Sequence, residues 1–76
     1  MASAITTTST TLEGQLVEVA KAMQQAELAI PEVNRPNNVT IALDPETLGI
    51  SVSATLEATL SGTAGAVTMT PVAYLP

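Results

Sequence analysis

The chain of 76 residues has no cysteine and no histidine. It therefore forms no disulfide, lacks the ligands of ordinary zinc sites, and offers a serine nucleophile no imidazole base. No glycine-rich loop of the kind that cradles phosphate is present. Asp44 and Glu46, on either side of Pro45, supply fewer oxygens than calcium requires. We expect no catalytic residue, no metal and no cofactor, and hence no enzyme.

Positive charge is equally scarce. Lys21 and Arg35 are the only basic residues, and the net charge is −5. An acidic chain repels nucleic acid and anionic lipid, so we expect neither as a partner. No apolar run approaches the roughly 20 residues of a membrane span, and no N-terminal segment resembles a secretory signal. These absences predict a cytoplasmic protein, or part of a particle assembled in the cytoplasm.

Charged residues make up 12% of the chain and hydrophobic residues 46%. An average soluble domain has about 25% charged residues. So short a chain buries only about 60% of the surface that its unfolded form exposes, and it has no disulfide or zinc to stabilise it. Oligomerisation is the remaining way to stabilise so small a domain, and the composition therefore predicts a homo-oligomer.

The first nine residues are rich in serine and threonine, with Ile5 as the only large aliphatic residue. This composition predicts a flexible tail over residues 1–9 and one small α+β domain over residues 10–76. The alternative is that Ile5 and its threonines add a strand to the sheet of a neighbouring molecule.

A capping box formed by Thr10 and Glu13 predicts that a helix begins near residue 11, and Pro31 predicts its end near residue 30. Apolar residues recur at helical spacing, whereas the polar residues, including Gln15 and Glu27, are expected to lie mostly away from them. The spacing also fits a short coiled-coil seam, but packing on the protein's own sheet is favoured. The apolar stripe is Leu12, Leu16, Val19, Met23, Ala26 and Ile30.

Three segments alternate with the period of a β-strand: residues 38–44, 49–60 and 64–74. The short connections between them contain proline or glycine, which is typical of an antiparallel meander. The predicted fold is therefore α+β: one amphipathic helix on a three-stranded antiparallel β-meander, in the order α-β-β-β. The opposite sheet face carries Ser51, Ser53, Thr55, Glu57 and Thr59, and three interpretations remain open for it: a solvated face, a subunit interface or a ligand surface.

Two classes of function are compatible with this sequence. The first is a structural protein that self-associates into a larger homomeric particle, such as a virion or a tail-like assembly. The second is a small adaptor that binds another protein through a sheet edge or a helix flank. In either class the apolar residues on the helix flanks and at the termini are the expected contacts. The candidate interface residues are Ile5, Val17, Leu28, Val72, Tyr74 and Leu75.

Overall fold

The computed structural model describes residues 3–30 and 39–72. Within these residues the fold is α+β, but the sheet has five strands, in the antiparallel order β1-β5-β4-β3-β2, so the predicted three-stranded meander is wrong. The helix stop at Pro31 and the predicted C-terminal residues Tyr74 and Leu75 lie outside the described residues. The elements are β1 Ser3–Thr7, α1 Leu12–Leu28, β2 Ile41–Asp44, β3 Gly49–Val52, β4 Leu56–Thr59 and β5 Gly65–Pro71.

The predicted flexible tail is instead strand β1, which lies antiparallel to β5 at one edge of the sheet. Ile5 pairs with Val67 and packs against the core, while the buried Thr7 hydroxyl donates to the carbonyl of Gly65 at 3.1 Å. Threonine and isoleucine favour extended backbone, and β5 offers them an edge within the same chain. The alternative interpretation assigned this strand to the sheet of a neighbouring molecule, but it belongs to the protein's own sheet.

The long alternating segment 49–60 forms two strands because the chain folds back at Ser53–Thr55. Val52 pairs with Leu56 across this turn, and each later pair likewise joins two even-numbered or two odd-numbered residues. Residues opposite one another in an antiparallel pair share a face, so the predicted apolar face is retained on both strands. Ala54 is the exception, since it lies exposed in the turn.

The turn between β3 and β4 contains two residues in the left-handed region, Ser53 with φ 51° and Ala54 with φ 60°. The amide of Thr55 donates to the carbonyl of Val52 at 2.9 Å and closes it. Positive φ at both central positions is the type I′ geometry that suits a hairpin, but it is normally supplied by asparagine or glycine. The sequence therefore carries no recognisable turn signal here.

We expect Ala54→Gly to raise the free energy of unfolding by about 0.5 to 1 kcal/mol, because glycine adopts this conformation without strain. Urea denaturation measures the change. Ala64→Gly is the matched control: Ala64 is also exposed between two strands, but its φ is not positive. Glycine there should destabilise slightly through unfolded-state entropy. Equal effects of the two substitutions would argue against the turn conformation.

The helix begins one residue later than the capping box predicts. Thr11 is the N-cap, and its hydroxyl accepts from the amide of Gly14 at 3.2 Å. The helix ends at Leu28 and packs against β1, β3 and β4 of the protein's own sheet, the arrangement that the sequence pattern favours. The buried core cluster consists of Val19, Met23, Ile50, Val52, Ala58, Leu60, Val67 and Met69.

Candidate interaction surfaces

The helix covers one face of the sheet, and the strand register defines the other, which we call the outer face. Its side chains are small and uncharged, apart from Asp44 and Glu57. Ser51 and Thr59 lie on it as predicted, but Ser53 and Thr55 belong to the turn. The outer face comprises Ala4, Thr6, Ala42, Asp44, Gly49, Ser51, Glu57, Thr59, Ala66, Thr68 and Thr70.

Two shallow open grooves, of about 470 and 340 Å³, indent the outer face. Glu57 and Thr59 line both of them. Their other lining groups are mainly hydroxyls, backbone and small aliphatic side chains, with Asp44 as the further acid. Within residues 3–30 and 39–72, no cluster of three or more acidic, histidine or cysteine side chains could hold a metal ion. The grooves are thus shallow, open and lined mostly by groups without charge.

Strand β2 forms the second edge of the sheet, and all four of its residues are exposed. Ile41 and Leu43 pair with the buried residues Val52 and Ile50, so they share the face that carries the helix. Nevertheless they remain 43% and 44% exposed. A helix about 10 Å wide cannot cover five strands spaced about 4.8 Å apart, and β2 is the strand left uncovered.

The hydrogen-bond pattern fixes which backbone groups of β2 point away from the sheet. The amide of Ser53 donates to the carbonyl of Thr40 at 2.6 Å, so this is a hydrogen-bonded pair at the end of the β2–β3 ladder. Along two antiparallel strands, hydrogen-bonded pairs alternate with pairs whose backbone groups point away from each other. Ala42 and Asp44 therefore bond to β3, while the backbone groups of Ile41 and Leu43 point outward at the sheet edge.

The predicted interface residues do not come together as one patch. Val17 and Leu28 are 49% and 50% exposed, on the side of α1 that faces away from the sheet rather than on its flanks. They are separated along the helix by about 16 Å. Val72 is 56% exposed at the end of β5, whereas Ile5 is partly buried against the core. Tyr74 and Leu75 lie outside the described residues. Ile41 and Leu43 are exposed apolar residues that the candidate set omits.

Gln15 was expected on the polar side of the helix, but it is completely buried. Its Oε1 accepts from the amides of Ser61 and Gly62 at 2.8 and 2.7 Å, and its Nε2 donates to the carbonyl of Thr63 at 2.6 Å. Nε2 also donates to the hydroxyl of Thr7 at 3.3 Å. One side chain thus joins the helix, β1 and the β4–β5 connection.

Glu27 is the second polar residue that the helix buries completely, contrary to the sequence prediction. The hydroxyl of Thr55 donates to its Oε1 at 2.9 Å, which ties the helix to the strained turn between β3 and β4. Its Oε2 has no hydrogen-bond partner among the described residues. Thr55 is itself buried, and its hydroxyl also lies 3.2 Å from the carbonyl of Ser53. This contact holds the turn but offers no open site.

Glu18 fastens the connection between β1 and α1. Its carboxylate accepts from the amides of Thr8 and Ser9 at 2.9 to 3.2 Å, and from the Thr8 hydroxyl at 2.8 Å. Hydrogen bonds from the side chains of Ser9 and Thr8, and then from their amides, lower the pKa of Glu18 from 4.5 to about 2. The ionised carboxylate of Glu18 is thus the form that these hydrogen bonds from the β1–α1 connection favour.

Because the pKa of Glu18 is lower in the folded chain, its stabilising effect is present above about pH 4.5 and is lost as the pH falls towards 2. We expect Glu18→Gln to lower the free energy of unfolding near neutral pH. The difference from the unaltered chain should disappear as the pH falls from about 4.5 towards 2. Urea denaturation at a series of pH values measures this, together with amide exchange at Thr8 and Ser9. Glu13→Gln, on the exposed side of the same helix, is the control. Identical pH profiles for the two variants would contradict the assignment.

No protein-family model, curated protein or solved structure matches this chain. Among the described residues, α1 is too short and too polar to cross a membrane.

Proposed function

We propose that this protein is a non-enzymatic structural component that self-associates into a larger homomeric particle. The observation that carries the proposal is the uncovered part of the sheet. Among the described strand residues, its outer face carries two charged side chains, Asp44 and Glu57, and it is bordered by the edge β2 with its exposed apolar residues. Hydroxyl and methyl groups cost less to remove from water than charges do. Apart from its two carboxylates, such a surface therefore costs less to bury against other subunits than a more highly charged face would.

Further support comes from the composition. With net charge −5 and no histidine or cysteine, the chain favours neither a nucleic acid or membrane partner nor a catalytic role. Its principal partner in this proposal is itself, with another protein of the same particle as a further neighbour. The location is the cytoplasm or a particle assembled there.

Light scattering after size exclusion, over a hundredfold range of concentration, tests the proposal. We expect a mass above that of the monomer, either fixed or rising with concentration. A chain that remains monomeric throughout would contradict self-association and favour the adaptor alternative, in which a sheet edge captures another protein.

A further inference from the structure

We propose that β2 pairs with β2 of a second copy of this chain, so that two five-stranded sheets join into one continuous antiparallel sheet. This inference rests on the proposed self-association and names the surface that mediates it. A two-fold axis perpendicular to the sheet passes beside Ala42. It places Ile41 opposite Leu43 of the second copy and keeps both helices on the same side.

The backbone of β2 is complementary to itself in this register. The N–H and C=O groups of Ile41 and Leu43 point outward, as the alternating ladder to β3 requires. Each Ile41 would exchange both bonds with Leu43 of the second copy, and each Leu43 would do the same with Ile41. All the outward groups of Ile41–Asp44 are thereby paired, which only an extended strand can achieve.

The side chains agree with the same register. On the helix side, Ile41 packs beside Leu43 of the second copy, and these are the residues that α1 leaves 43% and 44% exposed. On the outer face, Asp44 lies opposite Thr40 of the second copy. A carboxylate thus faces a hydroxyl and not another carboxylate, although each chain is acidic. Cross-strand pairs of these types stabilise a sheet, whereas like charges oppose it.

The contact is small. A strand of four residues is about 13 Å long, so it buries less than the roughly 800 Å² per partner of a standard stable complex. We therefore expect a reversible contact that depends on concentration when it acts alone. In a particle, this contact acts together with contacts through the other surfaces, such as the outer face, and together they hold each subunit more firmly.

A single cysteine introduced in place of Ala42 tests the register, because the natural chain has none. At the two-fold axis the Cα atoms of a non-hydrogen-bonded pair lie about 4.5 Å apart, within the range that a disulfide spans. We expect Ala42→Cys to form a covalent dimer under mild oxidation while keeping its circular dichroism spectrum. Ala66→Cys is the control, since Ala66 is also exposed on the outer face but lies on β5, within the sheet. It should crosslink much more slowly.

Leu43→Lys tests the same contact without a covalent bond, since lysine on an edge strand opposes strand addition. We expect it to raise the dissociation constant of the assembly by roughly tenfold or more. Leu28→Lys introduces the same charge at a residue that is 50% exposed on the helix, and it should associate like the unaltered chain.

The outcomes separate the two proposals. If the unaltered chain assembles but the Ala42→Cys variant does not crosslink and Leu43→Lys assembles normally, the β2 pairing is wrong and self-association stands. If the unaltered chain is monomeric at every concentration, both are wrong. Crosslinking of Ala42→Cys but not of Ala66→Cys supports the pairing even if Leu43→Lys fails to fold.

Discussion

Gln15→Ala is expected to lower the free energy of unfolding by about 3 to 5 kcal/mol. The substitution removes the acceptor for the amides of Ser61 and Gly62 and the donor to the carbonyl of Thr63. Each buried polar group left without a partner costs about 1 to 3 kcal/mol, and water entering the vacated space recovers part of this. A protein of this length is stable by only about 4 to 11 kcal/mol, so much of the stability depends on this side chain. Urea denaturation followed by circular dichroism measures the loss.

Gln24→Ala is the matched control for Gln15→Ala. Gln24 lies on the same helix but is exposed, so its replacement should change the stability by less than about 0.5 kcal/mol. If the two variants were equally stable, Gln15 would not join the helix to the β4–β5 connection as described.

Met23→Ala is expected to cost about 2 to 5 kcal/mol, because it leaves a cavity at the centre of the contact between helix and sheet. Met23 is completely buried within the core cluster that includes Val19 and Ile50. So small a core has few other contacts to compensate. Thermal denaturation should show a melting temperature lowered by more than about 8 °C.

Val17→Ala provides the comparison for Met23→Ala. Val17 is 49% exposed on the opposite side of the helix, and its truncation should have little effect on melting. A larger loss for Val17→Ala than for Met23→Ala would mean that the helix packs on the sheet through its other side.

The helix and the two faces of the strands were predictable, because both depend on local periodicity. The stripe containing Val19 and Met23 does lie on the sheet, and the predicted apolar face of residues 50–60 does face the core, except for Ala54. The alternation between the two faces is retained even though the segment predicted as one strand forms two strands. Because the hairpin pairs Val52 with Leu56, both side chains lie on the same face of the sheet although the chain reverses direction between them.

Strand β1 and the turn at Ser53–Thr55 could not be predicted, because both depend on tertiary context. The threonine-rich N-terminal segment does not form a stable strand alone. It forms one here because it can pair with strand β5. The turn contains no glycine, proline or asparagine. It is held instead from outside, by the hydrogen bond from Thr55 to Glu27 and by Ser53 bonding to Thr40.

The candidate interaction surface was only partly predictable for a related reason. The sequence indicates that Ile41 and Leu43 share the core face, but their exposure depends on how many strands one helix must cover. Adding β1 widens the sheet beyond the width of α1 and leaves β2 uncovered. Likewise, Gln15 and Glu27 are buried because the β4–β5 connection and the β3–β4 turn supply hydrogen bonds that no helical pattern reveals.

Amide hydrogen exchange of the unaltered chain, measured at increasing concentration, reports directly on the pairing of β2 with a second copy. We expect the Ile41 and Leu43 amides to exchange fast in dilute solution and to become protected as the concentration rises. The Ala42 amide, bonded to β3, should be protected throughout. Fast exchange of Ile41 and Leu43 at every concentration would contradict the pairing of β2 with a second copy.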